Sequence, residues 1–590
     1  MLKNIALSLL LLWLLWAPAQ VKGVAHAAMP VGDIVVSAID ESEPADPLGW
    51  QQFGDKTLFS WASKDVHYAL SSLPRLKVAN EITVTAWRGE RVSALALVIT
   101  GRRLDNAKLA ISLSDKDRDA DAPSANAQAR FVSNVLCDEK RGCGVNDKST
   151  PAYLVPDIIG LDKEMTLAER TTRPVWVSFD VPANARVGES VYTLMLNDKQ
   201  SDEPIGTLRL KLNVVDRALP EPKDYAFHTD FWQQPYSVSR YYGVERWSQS
   251  HFDLLKPYLR LLARGGQKVV TAILFYEPWG EQSNDKFDPM IRTTKLKNGK
   301  WKYDYSVFDH YVELCDSCGI NAQINCYSMI PWDKSFRYYD QATKRYVDLK
   351  TSTDSPEYKA LWTPFLKSFA NHLRKKGWME KTCIAMDERG LQDMQRAYSI
   401  LKEAVPEMRM SLAGSPHAEL MDKLYDYSLG FPARFTKEQL MRRKDSGLVS
   451  TAYTCCPDIT PNIETYNPPA DAAYIPLYCV ANGFDGYLHW SWMNWTDAPL
   501  QDSRFKLFPA GDTYLIYPGP RSSVRWERYI EGVQQAEKYR LLRAEYEKQN
   551  QQEALKKLED ALKPFQSGKI DNEHTTARLV KAFERVVNGE

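Results

Sequence analysis

Thr382–Leu391 reads TCIAMDERGL. Thr382 to Met386 suit a strand covered on both faces, and they run directly into two adjacent carboxylates, Asp387 and Glu388. Acids just past the carboxyl end of a buried parallel strand sit where α/β folds assemble their chemistry. The competing reading is an acidic helix start, because an amphipathic segment follows near Gln392 to Val405 and both acids would complement its dipole. The flanking segments decide between the two.

From Tyr225 onward, short apolar runs alternate with amphipathic ones. YAFHTDFW, KVVTAILFYEPW, NAQINCYS, TCIAMDE, MRMSLAG, DYSLGF, LVSTAYT and DGYLHWSW are the strand candidates, with helical periods such as HFDLLKPYLRLLARGG and YKALWTPFLKSFANHLRKKG between them. Roughly eight strands is the repeat number of a (β/α)8 barrel, and Asp387 and Glu388 then end the fourth. A barrel predicts polar and aromatic residues at the ends of other strands. His228, Asp230 and Trp232 are assigned to the first; Tyr276, Glu277 and Trp279 to the second; Asn325, Tyr327 and Ser328 to the third; Tyr453 to the seventh; His489, Trp490, Trp492, Asn494, Trp495 and Asp497 to the eighth. Aromatic rings around paired acids suit a sugar, whose apolar faces stack while its hydroxyls bond to polar groups. His228, Asp230, Trp232, Tyr327, Tyr453, Trp490, Trp492 and Asn494 are accordingly expected to bind substrate.

Upstream, Met29 to Asp216 is a series of short β-rich segments broken by turn signals, as in an antiparallel β-sandwich. Residues 217–223, RALPEPK, form the expected linker. The barrel is expected over 224–523, and a helical tail over 524–590 is expected to pack on it through Leu541, Leu542, Tyr546, Leu555, Leu558 and Leu562. The predicted fold is multidomain: an N-terminal β-sandwich, a TIM-type barrel and this tail.

The chain has 590 residues with 75 basic and 75 acidic side chains, a balance that names no charged partner. Basic runs such as Arg374–Lys376 and Arg442–Lys444 are short, as on solvated helix faces, so nucleic acid is not expected. Lys3, the apolar run Ile5 to Trp16 and the small residues around His26 read as a signal peptide over 1–28, so the mature chain is expected to be exported, periplasmic or secreted. No later run has the length of a membrane span. Nine cysteines are too few for a disulfide scaffold; Cys137 and Cys143 bracket a polar loop that export would let them bridge, and Cys315 and Cys318 lack the further ligands of a zinc site. No metal or organic cofactor is expected, and protein partners are not indicated.

Paired carboxylates in an aromatic pocket fit glycoside hydrolysis. Adjacent residues at a strand end point in different directions, so they do not readily face each other across a glycosidic bond. Substrate assistance fits better: the 2-acetamido oxygen attacks the anomeric carbon, Asp387 stays ionised and holds the acetamido group, and Glu388 acts as acid and base with a pKa raised by burial and its neighbour.

Six stretches carry a resemblance: AWRGERV (Ala86–Val92), FHTDFWQQPYSVSRYY (Phe227–Tyr242), GGQKVVTA (Gly265–Ala272), AMDERG (Ala385–Gly390), HWSWMNW (His489–Trp495) and DSRFKLFPAGDTYLIYPGPRSSVRWE (Asp502–Glu527). As a set, spread in order over most of the chain, they resemble glycoside hydrolase family 123. The resemblance implies a β-sandwich followed by a (β/α)8 barrel. It also implies exo-acting, retaining β-N-acetylgalactosaminidase activity through substrate assistance, with Asp387 orienting the acetamido group and Glu388 as acid and base. The expected substrates are glycans or glycolipid headgroups. Two alternatives stay open: a hydrolase for another 2-acetamido sugar such as N-acetylglucosamine, and a non-catalytic carbohydrate-binding protein, against which the intact acid pair argues.

Overall fold

The computed structural model describes residues 28–31, 34–37, 46–118, 123–146, 149–198, 204–431, 433, 435–568, 570 and 575–590; apart from Ala28, the expected signal peptide lies outside them. All eight strand candidates correspond to strands of one parallel sheet: β1 (His228–Phe231), β2 (Val269–Ile273), β3 (Gln323–Tyr327), β4 (Thr382–Asp387), β5 (Arg409–Ala413), β6 (Asp426–Gly430), β7 (Val449–Tyr453) and β8 (Gly486–His489). The strands lie in the order β1-β8-β7-β6-β5-β4-β3-β2.

Between β1 and β2 the ladder shrinks to one bridge, Thr229 with Gln267. Side-chain amides stitch the rest of the seam. Gln267 Oε1 accepts from the Phe231 N–H at 2.9 Å while its Nε2 donates to the Val269 carbonyl at 2.7 Å, and Gln233 Oε1 accepts from the Thr271 N–H at 2.8 Å. Each amide supplies the donor and acceptor a neighbouring strand would present, so these backbone groups are satisfied and the barrel is nearly closed.

Helices occupy most crossovers, among them Gln249–Ala263 after β1, Pro356–Lys376 after β3 and Leu391–Ala404 after β4. The link from β5 to β6 is a run of turns containing Gly414 and Pro416, without a helix, so the strict βα repeat is interrupted there. The loops after β2 and β3 add a four-stranded sheet, Arg292–Lys295, Trp301–Asp304, Ser335–Asp340 and Arg345–Lys350.

The N-terminal domain is strand-rich, with two five-stranded sheets. Trp61, Val98, Phe131 and Phe179 from one and Leu109, Leu194 and Leu210 from the other share a single core. Its last strand, Pro204–Ala218, runs into the segment read as a linker.

The tail contains the helix Val524–Lys548, buried along its entire first part from Val524 to Tyr539. Trp526 packs on Phe231 and Trp492 of the barrel domain at 5.2 and 4.2 Å between ring centroids. On the other side Glu527 pairs with Arg91 at 2.7 Å and Glu531 with Lys64 at 2.8 Å. This helix is therefore a core element between the two domains, not an appendage. Of the residues expected to dock the tail, Leu542, Leu558 and Leu562 are buried. A disulfide, Cys143–Cys456, also joins the domains. Cys137, which export would have let Cys143 bridge, is a buried free thiol, and Cys315 and Cys318 are free as well. Among the described residues no helix is long and apolar enough to cross a membrane.

Candidate active site

Asp387 is the last residue of β4, and Glu388 follows in the left-handed region at φ 48°. This turn is held by the Glu388 N–H donating to the Ala413 carbonyl at 2.7 Å. Gly414 lies directly beside it, where an added Cβ would stand 3.2 Å from the Glu388 Cα. The turn sends the two carboxylates to different walls of the barrel mouth. Asp387 Oδ2 accepts from the Trp332 indole N–H at 3.2 Å, on the loop after β3. Glu388 Oε1 accepts from the Tyr453 hydroxyl at 3.3 Å, at the end of β7.

The wall beside Asp387 is aromatic. Trp232 stacks on Trp279 with centroids 5.2 Å apart, and Tyr327 packs against both at 4.6 and 5.1 Å. Burial among these rings, followed by the charge of Glu388, raises the Asp387 carboxyl to about 7, against smaller opposing contributions from Trp332, Arg389 and Trp279. The expectation that Asp387 remains fully ionised is corrected accordingly: near neutrality this carboxyl is shared between its two forms. Glu388 was expected to be buried, but the left-handed turn after β4 leaves it solvent-exposed, and that expectation is corrected. Burial and the Glu388 charge push the Tyr453 phenol upward, so Tyr453 remains a hydrogen-bond donor.

The other expected residues divide between mouth and core. Trp232 and Tyr327, 1% and 2% exposed, are buried in the aromatic cluster beside Asp387. Trp490 is half-buried and donates its indole N–H to Asp512 Oδ2 at 2.8 Å. Burial raises Asp512 to about 6, and burial and the Asp512 charge push the adjoining Glu464 well upward.

His228 was assigned to the carboxyl end of strand one, but it opens β1 at the opposite end of the barrel, 3.7 Å from Asp426, the first residue of β6. Asp230 lies fully buried in the barrel interior, with burial driving its carboxyl well upward. Trp492 is core, packed on Trp526, and Asn494 is fully buried, its Oδ1 accepting from the Asn284 N–H at 3.1 Å. In β1, residues at i, i+2 and i+4 share the inward face, so His228, Asp230 and Trp232 alternate alike in sequence although only Trp232 reaches the aromatic cluster beside Asp387.

Three contributors escaped sequence reading. Trp332 falls a few residues beyond the strand-three end, within reach of a rule extended into the loop. Arg389 sits in the AMDERG stretch itself, its guanidinium over the Trp332 ring at 4.8 Å. Asp512 lies in the quoted stretch Asp502–Glu527, after the eighth strand, where no strand-end rule points to it. Among the described residues no group of three or more His, Cys, Asp or Glu side chains is arranged to hold a metal ion.

Residues 232–542 match the glycoside hydrolase 123 catalytic domain, and residues 61–197 match the glycoside hydrolase 123 N-terminal domain. The chain belongs to glycoside hydrolase family 123. It is a glycoside hydrolase with a glycan substrate. A solved family 123 glycoside hydrolase from Clostridium perfringens, described for glycolipid glycan hydrolysis, superposes with a TM-score of 0.80 at 24% identity, covering 90% of this chain and 98% of that one. This likeness extends the shared fold over both domains. A Thermobacillus composti GH10 xylanase overlaps at a TM-score of 0.30 and 10% identity, covering 52% of this chain and 97% of its own, too weakly to carry any reading. No curated protein sequence matches the chain.

Proposed function

We propose that this family 123 enzyme is an exo-acting, retaining β-N-acetylgalactosaminidase that removes terminal β-linked N-acetylgalactosamine from glycans or glycolipid headgroups. The observation that carries the reading is the divergence of two sequence-adjacent carboxylates, one to Trp332 and one to Tyr453. A nucleophile and acid pair must face each other across the scissile bond, whereas an acetamide-orienting group and an acid need not.

In this mechanism Glu388 donates a proton to the glycosidic oxygen as the acetamido carbonyl oxygen attacks the anomeric carbon and the C–O bond to the aglycone breaks. Asp387 accepts a hydrogen bond from the acetamido N–H. The positive charge developing on the oxazolinium ion favours the ionised form of Asp387, a carboxyl poised at about 7. Glu388 then takes a proton from water, which opens the intermediate with overall retention. The steps require no metal or organic cofactor.

The solved Clostridium perfringens relative, described for glycolipid glycans, supports the proposed substrate class. The Cys143–Cys456 disulfide supports an exported, periplasmic or secreted enzyme. In fold terms we read a β-sandwich buttressing a TIM-type barrel, with the division at 217–223.

The test is an assay of the mature protein on aryl β-N-acetylgalactosaminide and aryl β-N-acetylglucosaminide, alongside Glu388→Gln and Asp387→Asn. Hydrolysis of the galacto substrate, lost in both variants, is expected, together with inhibition by a thiazoline mimic of the intermediate. Preference for the gluco substrate would move the specificity to N-acetylglucosamine. No hydrolysis of either, or full activity in both variants, would overturn the mechanism.

A further inference from the structure

We propose that Trp332 and Arg389 form a positioning clamp on Asp387, fixing one carboxylate oxygen so that the other is presented to the substrate's acetamido N–H. The proposal rests on the acetamide-assisted reading above and adds to it the residues that make Asp387 competent.

Trp332 donates its indole N–H to Oδ2 of Asp387 at 3.2 Å, which leaves Oδ1 for the substrate. The loop that carries the ring is anchored at its backbone. The backbone N–H of Trp332 is bonded to the Pro278 carbonyl at 3.0 Å, tying the loop after β3 to the loop after β2. Two residues on, Lys334 bonds to Asp393 at 2.7 Å, anchoring the same loop to the helix Leu391–Ala404. Arg389 completes the clamp: its guanidinium lies 4.8 Å over the Trp332 ring while its Nε donates to the Asp387 backbone carbonyl at 2.7 Å. One side chain thereby links the ring that holds the carboxylate to the backbone that bears it. Trp332 is nevertheless 38% exposed, the largest opening among the aromatic groups around Asp387, so an arriving sugar can reach it.

The clamp also acts on protonation. Asp387 faces Glu388 and Arg389 from its own segment, Trp279 from the loop after β2, Trp332 and Tyr327 from β3 and its loop, and Tyr453 from β7. Burial and then the Glu388 charge favour the neutral carboxyl, whereas the Trp332 N–H, the Arg389 charge and, least, Trp279 favour the ionised one. Removing either clamp member therefore moves the Asp387 titration to higher pH.

Trp332→Phe retains a ring for Arg389 to cover but removes the N–H donor. Its expected signature is a fall in kcat of about tenfold with a smaller change in KM, the size of a lost hydrogen bond to a charged group. The acid limb of the pH profile moves upward, and affinity for the thiazoline mimic falls in parallel. Arg389→Lys keeps the charge without the flat stack and is expected to lie between wild type and Arg389→Ala in all three readouts. A merely structural role would alter melting temperature without moving the acid limb. Wild-type kcat, acid limb and thiazoline affinity in Trp332→Phe, with Asp387→Asn impaired, would overturn the clamp alone; an unimpaired Asp387→Asn would overturn the acetamide reading beneath it.

Discussion

At Asp387, burial and a neighbouring charge act in the same direction. A carboxyl at about 7 in the folded chain is disfavoured as an anion relative to the unfolded chain, which ionises near 4. Folding therefore binds a proton that the unfolded state has released, and the stability contribution of this group declines as pH rises from about 4 through about 7. Asp387→Asn is predicted to be more stable than wild type at pH 8, by on the order of a few kcal/mol, with the difference vanishing below pH 4; paired thermal melts at the two pH values measure it. Activity has the opposite dependence, because the ionised form holds the acetamide. kcat/KM is expected to rise with pH on the acid side through about 7, and a profile flat from pH 5 to 8 would contradict the role given to Asp387. At this scale sequence was informative about the residue pair and poor about its electrostatics. Adjacency is visible in a string of letters, but the Trp232, Trp279 and Tyr327 rings that desolvate Asp387 come from three separate strands or loops.

Elements place these groups, and their close approaches are the sensitive points. Gly414 allows β5 to lie beside the Glu388 turn; Gly414→Ala would bring a Cβ to 3.2 Å from the Glu388 Cα. The expected result is displacement of Glu388 and a fall in kcat of roughly tenfold or more, as misplacement of a reacting group produces, with a smaller change in melting temperature. Gly532, in the helix Val524–Lys548, approaches Ala473 so closely that a Cβ would come within 2.5 Å of its carbonyl oxygen. Gly532→Ala is predicted to cost about 1–3 kcal/mol of stability by overpacking, read in denaturant unfolding.

The strands were legible because period and burial agree along each of them. The position of a residue along a strand was not, since alternation reports the face and not the end, which is how His228 was assigned to the mouth. The helix Val524–Lys548 packs on the barrel, and what its sequence does not show is its contact with the N-terminal domain. Its Arg525, Glu527, Arg528 and Glu531 suggest a solvated face, yet each is buried against a partner remote in sequence, such as Asp157 for Arg525 and Arg91 for Glu527.

Across the whole molecule, those remote pairs make the two domains one mechanical unit. Asp157 of the N-terminal domain meets Arg525 at 2.9 Å with both side chains essentially inaccessible, and Glu90 meets Lys538 at 2.7 Å in the same condition. Removing one partner leaves an uncompensated buried charge. Asp157→Ala is therefore expected to destabilise the protein by about 3–5 kcal/mol, with both domains affected together in calorimetry. Cys456, three residues after Tyr453, carries the covalent tie to Cys143, so the wall that holds Glu388 is joined to the N-terminal domain as well. The N-terminal domain is thus tied to the segment beside the active site.

The central claim is that the substrate's own acetamide is the nucleophile, oriented by Asp387 while Glu388 moves the proton. Its most direct test is kcat/KM on aryl β-N-acetylgalactosaminides whose N-acetyl group carries none, one, two or three fluorines, because fluorination weakens the carbonyl oxygen as a nucleophile with little change in size. A steep, progressive fall across the series is predicted; a flat series would contradict acetamide participation and return the reaction to a nucleophile supplied by the protein.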